Sequence, residues 1–174
     1  MIFKRLYILA LVAITFSCQT EEHTVVLGEN GDAFSGINIP DNSAEYITYR
    51  VDDQTAITYT EGIDCIIHSG RQLVLSYGFN NNIPNDEFLL DFEAAGGANL
   101  QEGLYEIGSV DFTIDDSNGN AIGNQTIKNI EARITKLGTQ PGEYVDMTFS
   151  GTFRDDLGAL HTIVGLVHVF IDLR

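Results

Sequence analysis

Apolar and polar residues alternate with a period of two along most of the chain, the signature of β-strands with one face buried. Ile47, Tyr49 and Val51 alternate with Tyr46, Thr48, Arg50 and Asp52. Leu73, Leu75, Tyr77 and Phe79 form a second inward row, and Phe88, Leu90 and Phe92 a third, set against Glu87, Leu89, Asp91 and Glu93. The same alternation carries Val110, Phe112 and Ile114, then Ala132 and Ile134, then Val145, Met147 and Phe149. Turn chemistry separates the runs. Asn118-Gly119 is the dipeptide that tolerates the positive backbone angles of a tight hairpin. Asp155-Asp156-Leu157-Gly158, Gln140-Pro141-Gly142 and residues 80–84 supply further breaks.

Helical periodicity is confined to residues 124–136, where Ile127, Ile130 and Ile134 recur at helical spacing. Isoleucine and threonine favour strands, and Gly123 and Gly138 bound the stretch, so a strand is expected there too. Residues 160–173 break the alternation differently. Ile163, Val167, Val169 and Ile171 share one face, and Val164, Leu166 and Phe170 share the other. A strand apolar on both faces belongs in the middle of a covered sheet. Together these features predict an all-β fold, an antiparallel sandwich or barrel-like structure of about 8 to 10 strands with little or no helix.

The first residues carry a different pattern. Lys4 and Arg5 precede residues 6–16, which bear no charge. That run is too short to cross a bilayer, which takes about 20 residues, and suits a signal-peptide core of about 7 to 15. Ser17-Cys18 follows, a small residue and then cysteine, as in the lipobox at which bacterial lipoproteins are cleaved and acylated. Residues 1–17 are therefore read as a lipoprotein signal peptide and Cys18 as the lipidated first residue of the mature chain. Residues 18–24 form a flexible acidic tether, because Gln19, Thr20, Glu21, Glu22, His23 and Thr24 have no apolar surface to bury. Residues 25–174 form a single domain. The address is the cell envelope, anchored by lipid to the outer membrane on its periplasmic face or at the cell surface.

Composition narrows the partners. The 174 residues hold 25 acidic against 9 basic side chains, a net charge of -16, which opposes nucleic-acid binding because phosphates need the reverse balance. At 44% hydrophobic the chain can build a core without disulfides. Acylation of Cys18 would leave Cys65 alone among Ile63, Ile66 and Ile67, where a thiol packs as a small hydrophobe.

Several short segments taken in order carry a resemblance. They are Tyr49-Arg50-Val51-Asp52-Asp53, Gly103-Leu104-Tyr105, Ala132-Arg133-Ile134-Thr135, Ser150-Gly151-Thr152-Phe153 and Ile163-Val164-Gly165. With the lipobox-like start, the chain resembles the small β-sheet lipoproteins of Bacteroidota that have no assigned function. It departs from their pattern at Asp53-Gln54, where a glycine turn is usual. The resemblance implies an envelope lipoprotein with a sandwich-like fold and brings no catalytic residues.

Candidate chemistry is sparse. His23, His68, His161 and His168 show no zinc spacing, and His161 and His168 fall on opposite faces of one strand. Ser69-Gly70 and Ser150-Gly151 lack a nucleophile elbow. Asp115, Asp116, Ser117, Asn118 and Asn120 offer oxygen ligands around Gly119, which leaves calcium open beside an ordinary hairpin turn. Tyr46, out of phase with its strand's apolar row, is expected to face solvent and is the candidate ligand contact, although tryptophan, the usual sugar platform, is absent. These readings converge on a non-catalytic binding or accessory module for a glycan or an envelope protein, with no cofactor and no metal. The alternative is a structural or assembly protein that pairs through an exposed sheet edge.

Overall fold

The computed structural model describes residues 34, 37, 44–78, 86–108, 111–123 and 126–173. The signal peptide, Cys18, the tether, most of residues 25–43 and the turn expected at 80–84 lie outside the described residues. The alternating rows become strands β1 (Tyr46–Val51), β2 (Ile57–Tyr59), β3 (Ile63–His68), β4 (Gln72–Tyr77), β5 (Glu87–Glu93), β6 (Gly103–Ile107), β7 (Phe112–Asp115), β8 (Ala121–Ile122), β9 (Lys128–Leu137), β10 (Tyr144–Arg154) and β11 (Leu160–Phe170). Among the described residues the only helical piece is a 3-10 turn, Ala95–Gly97. The strand count exceeds the expectation because β2 and β8 are too short for alternation to show.

The strands form two antiparallel sheets. One has the order β2-β1-β11-β10-β9-β6 and the other β3-β4-β5-β7-β8. The fold is a β-sandwich, since the sheets remain separate and bury their facing rows against each other. Ile47, Tyr49, Phe149, Ile163 and Val167 from the first sheet meet Leu73, Leu75, Phe88, Leu90 and Phe112 from the second. Burying each such side chain contributes about 1.5 to 3 kcal/mol. The centre is aromatic. Phe88, Phe112 and Phe149 lie 5.5 to 5.7 Å apart in edge and tilted contacts, with Tyr49 at 5.8 Å from Phe88.

β11 occupies the interior position expected of it, paired along its length with β10 and over Ile163–His168 with β1. Its second face is covered as well, because Leu166 and His168 are both 4% exposed. The expectation for Tyr46 is corrected here. Tyr46 does point away from the sandwich core but is only 6% exposed. Its ring lies 5.5 Å from that of His168, which stacks on Tyr144 at 4.0 Å and meets the Asp146 carboxylate through Nδ1. The outer face of β1, β11 and β10 thus carries its own aromatic layer, so being out of phase with the core row did not mean facing solvent.

Residues 128–137 resolve the helical spacing. β9 is a strand whose pairing with β10 slips by one residue between Asp146 and Met147, leaving Thr135 as a bulge whose Oγ1 donates to the Asp146 carbonyl at 3.1 Å. After the bulge the inward phase shifts, so Ile134 and Leu137 both pack against the core. The hairpin joining β1 to β2 forms despite lacking glycine. Asp52 takes the positive φ of 47°, which a short polar side chain tolerates better than most.

Candidate functional site

A cleft of about 480 Å³ opens at one end of the sandwich, within the range of small-molecule sites. Four chain segments build it: the β3–β4 hairpin, residues 99–100, the β9–β10 hairpin and the tail after β11. Its apolar wall is Ile66, Ile67, Leu100, Leu137, Pro141 and Ile171. Polar groups come from His68, Ser69, Asn99, Thr139 and Asp172.

Local chemistry fixes each segment. Ser69 and Gly70 turn the β3–β4 hairpin with φ of 51° and 70°, and the Arg71 N–H donates to the His68 carbonyl at 2.9 Å. The Leu100 N–H donates to the Gly70 carbonyl at 2.8 Å and pins the neighbouring segment to the hairpin tip. In the β9–β10 hairpin the Glu143 carboxylate accepts the Thr139 and Gln140 N–H groups at 2.7 and 3.1 Å, and these two bonds hold its pKa below the ordinary value. The Gly142 N–H donates to the Ile171 carbonyl and the Ile171 N–H to the Glu143 carbonyl, which ties the tail to the hairpin. Gly138 has no room for a side chain, since a Cβ would stand 2.7 Å from that of Glu143 and 3.0 Å from Ile171 Cδ1.

Asp172 closes the far side. Its Oδ2 accepts the Cys65 N–H at 2.6 Å and its own N–H donates to the Cys65 carbonyl at 2.9 Å, so the tail of the first sheet grips the edge strand of the second. Cys65 is 1% exposed, and burial first, then the Asp172 and Glu45 carboxylates, push its thiol up to about 12. The thiol therefore behaves as core. Ser69, His68 and Asp172 share the cleft, yet among the described residues no hydrogen bond joins them into a nucleophile and base.

The candidate calcium loop has a structural use. Asp116 is buried, and its carboxylate accepts the Asn118 N–H at 3.0 Å, the Asn120 N–H at 3.0 Å, the Asn120 side-chain amide and the Tyr49 hydroxyl at 3.0 Å. Donors from the protein already converge on this carboxylate, the arrangement of an Asx-type turn. Among the described residues no group of three or more His, Cys, Asp and Glu side chains is placed to hold a metal ion.

At the opposite end of β11 a polar staple joins two hairpins. His161 Nδ1 lies 2.8 Å from Asp52 Oδ2 and Nε2 lies 3.4 Å from Asp155 Oδ2, with the ring stacked on Phe153. The Asp52 contact, opposed by burial and aided by Asp155, raises the imidazole pKa above 6.5. Burial works against the Asp52 carboxylate, but hydrogen bonds from Thr162 N–H, His161 and Thr162 Oγ1 outweigh it and hold the carboxyl below 3.8. Burial likewise opposes ionisation of Asp155, and the Ala159 N–H, His161 and Leu157 N–H overcome it. The raised imidazole stabilises the fold most below its unfolded pKa, and this contribution is lost as pH rises through the folded value. The lowered carboxylates stabilise above their unfolded values and lose that contribution as pH falls through the folded ones. Stability at this staple should thus peak near pH 5 to 6, between the ordinary ranges of the two groups. For a solvated pair the expected loss in Tm between pH 5.5 and pH 8.5 is about 1 to 3 °C, absent in His161→Gln. Thermal melts of both proteins across that range check it, and an equal fall in the variant would remove His161 as the cause.

The residues around the cleft were not assembled by sequence reasoning. Ser69-Gly70 stood out only as a serine without a nucleophile elbow, Gln140-Pro141-Gly142 only as a turn and Ile171 only as an apolar position of the last strand, while Leu100 and Leu137 carried no signal of their own. Comparison with known proteins adds no assignment: the chain matches no protein-family model, and no curated protein and no solved structure is significantly similar to it.

Proposed function

We propose that this chain is a lipid-anchored cell-envelope lipoprotein whose β-sandwich is a non-catalytic binding module, with the end cleft as its ligand site. The cleft carries the reading. It combines an apolar wall drawn from both sheets with a few polar side chains, the composition that binds and orients a small ligand. The anchor is supported by the sequence Lys4-Arg5, the uncharged residues 6–16 and Ser17-Cys18. A glycan is the weaker occupant, since Tyr46 is buried and no Phe, Tyr or Trp lines the cleft.

Among the described residues three of the four sheet edges count against pairing with a partner strand, the five-residue edge β6 (Gly103–Ile107) being the exception. β2 and β8 present three and two residues, and the Cys65 N–H and carbonyl at the β3 edge are both taken by Asp172. The anchor is tested by labelling cells with a fatty-acid analogue, fractionating them and shaving intact cells with protease. Wild type should carry label and sediment with membranes, whereas Cys18→Ala should lose essentially all of the label. An unlabelled, soluble wild-type protein would sink the anchored reading and leave the cleft to be judged alone.

A further inference from the structure

We propose that the cleft takes a cationic amphiphile, a small molecule with an aliphatic body and a protonated amine. The inference rests on the reading of the cleft as the ligand site and adds the chemical class that it selects. The aliphatic body follows from Ile66, Ile67, Leu137 and Ile171, which bring branched side chains from both sheets to one wall with no aromatic among them. Such a wall excludes water from methylene groups but offers no flat face to a sugar ring or a planar base.

The amine follows from charge. Of the cleft-lining residues none is Lys or Arg, and Asp172 is the one carboxylate. That carboxylate is held by the Cys65 N–H at 2.6 Å, so it is already oriented before a ligand arrives. Glu45 stands close enough to Asp172, and more distantly to Asp64, that after burial their charges raise its pKa. An anionic head such as a fatty-acid carboxylate would meet the like charge of Asp172 with no Lys or Arg to offset it, and the net charge of -16 extends the repulsion beyond the mouth. A protonated amine meets the opposite sign and can donate to Asp172 as a charge-assisted hydrogen bond.

Three probes of one chain length separate the contributions: n-hexylamine, n-hexanol and n-hexanoate. Each is titrated at pH 8 into the isotope-labelled full-length chain while the amide resonances of Ser69, Gly70, Asn99 and Gly138 are followed. Hexylamine should shift these resonances with a Kd about tenfold below that of hexanol, and hexanoate should not bind. Asp172→Asn keeps an acceptor for the Cys65 N–H and should bring hexylamine to within about twofold of hexanol. In the unmodified protein, raising the salt from about 0.05 to 0.5 M should erode the amine's advantage and leave hexanol unchanged. Equal binding of hexanol and hexylamine, or an advantage that survives both salt and Asp172→Asn, would overturn the cationic class while leaving the cleft as a ligand site. Hexanoate binding as tightly as hexylamine would do the same. If no probe moves the cleft resonances, the ligand class and the cleft reading fall together, whatever the outcome for Cys18.

Discussion

Replacing Gly165 with alanine should cost about 3 kcal/mol or more, the upper end for overpacking a core, and lower the Tm by roughly 6 to 12 °C. The cause is the ring of Phe149. A Cβ on Gly165 would stand 2.2, 2.4 and 2.8 Å from three of its carbons, whereas carbon atoms rest about 3.5 to 4.0 Å apart. Gly165 sits opposite Phe149 on β10 and opposite Tyr49 on β1, so the ring lies flat over the middle of the central strand. It has nowhere to retreat, because Phe88 and Phe112 hold it at 5.7 and 5.5 Å. Phe149→Ala should itself cost about 3 to 5 kcal/mol by leaving a cavity. In the double variant the new methyl enters space the ring has vacated, so the two losses should fall short of additive by about 2 to 3 kcal/mol. Chemical denaturation of the three variants measures this coupling. Additive losses would mean that the backbone of β11, and not the ring, resists the methyl.

Sequence pattern recovered most of the sandwich because its core rows are regular. Leu73, Leu75, Phe88, Leu90, Phe92, Phe112 and Ile114 alternate without interruption, and all are buried. The stretch with helical spacing is a strand, as its isoleucines and flanking glycines suggested: Ile130 and Ile134, four residues apart, share the inward face of β9 with Ala132, while Ile127 precedes the strand and is 72% exposed. The bulge at Thr135 then shifts the inward phase by one residue, so Leu137 also packs inward. Tyr46 was misjudged because alternation reports only which residues face the inner core, and the outer face of β11 is covered too. The cleft was illegible for a topological reason. Its walls come from four segments separated by tens of residues, and nothing along the chain marks Leu100, Leu137 and Ile171 as neighbours until both sheets exist.

Asp116 shows how a sequence that suggests a ligand site can instead hold the fold, and Asp116→Ala should cost about 4 kcal/mol. Alanine removes the acceptor for the Asn118 and Asn120 N–H groups, which shape the β7–β8 turn. It also takes from the Tyr49 hydroxyl its acceptor at 3.0 Å and leaves this fully buried side chain only the longer contact with the Tyr59 hydroxyl at 3.5 Å. Hydrogen bonds to a charged acceptor contribute about 1.5 to 3 kcal/mol each, so the loss of the turn bonds and of the tyrosine's carboxylate acceptor together account for the figure. Burial, then the contact with Tyr59, and then Asp116 push the Tyr49 pKa far above 10.0, so the hydroxyl keeps its proton and acts as the donor. This bond links the inner face of the first sheet to a turn of the second, a polar tie through an otherwise apolar interior. Tyr49→Phe should cost only about 1 kcal/mol, because the carboxylate retains its other donors. The cycle completed by Tyr49→Phe with Asp116→Ala should show a coupling of about 1 to 2 kcal/mol, since the hydroxyl that loses its carboxylate acceptor is gone. If Asp116→Ala proved no more costly than Tyr49→Phe, the carboxylate would not be organising the turn, and the loop would again be open to a cation.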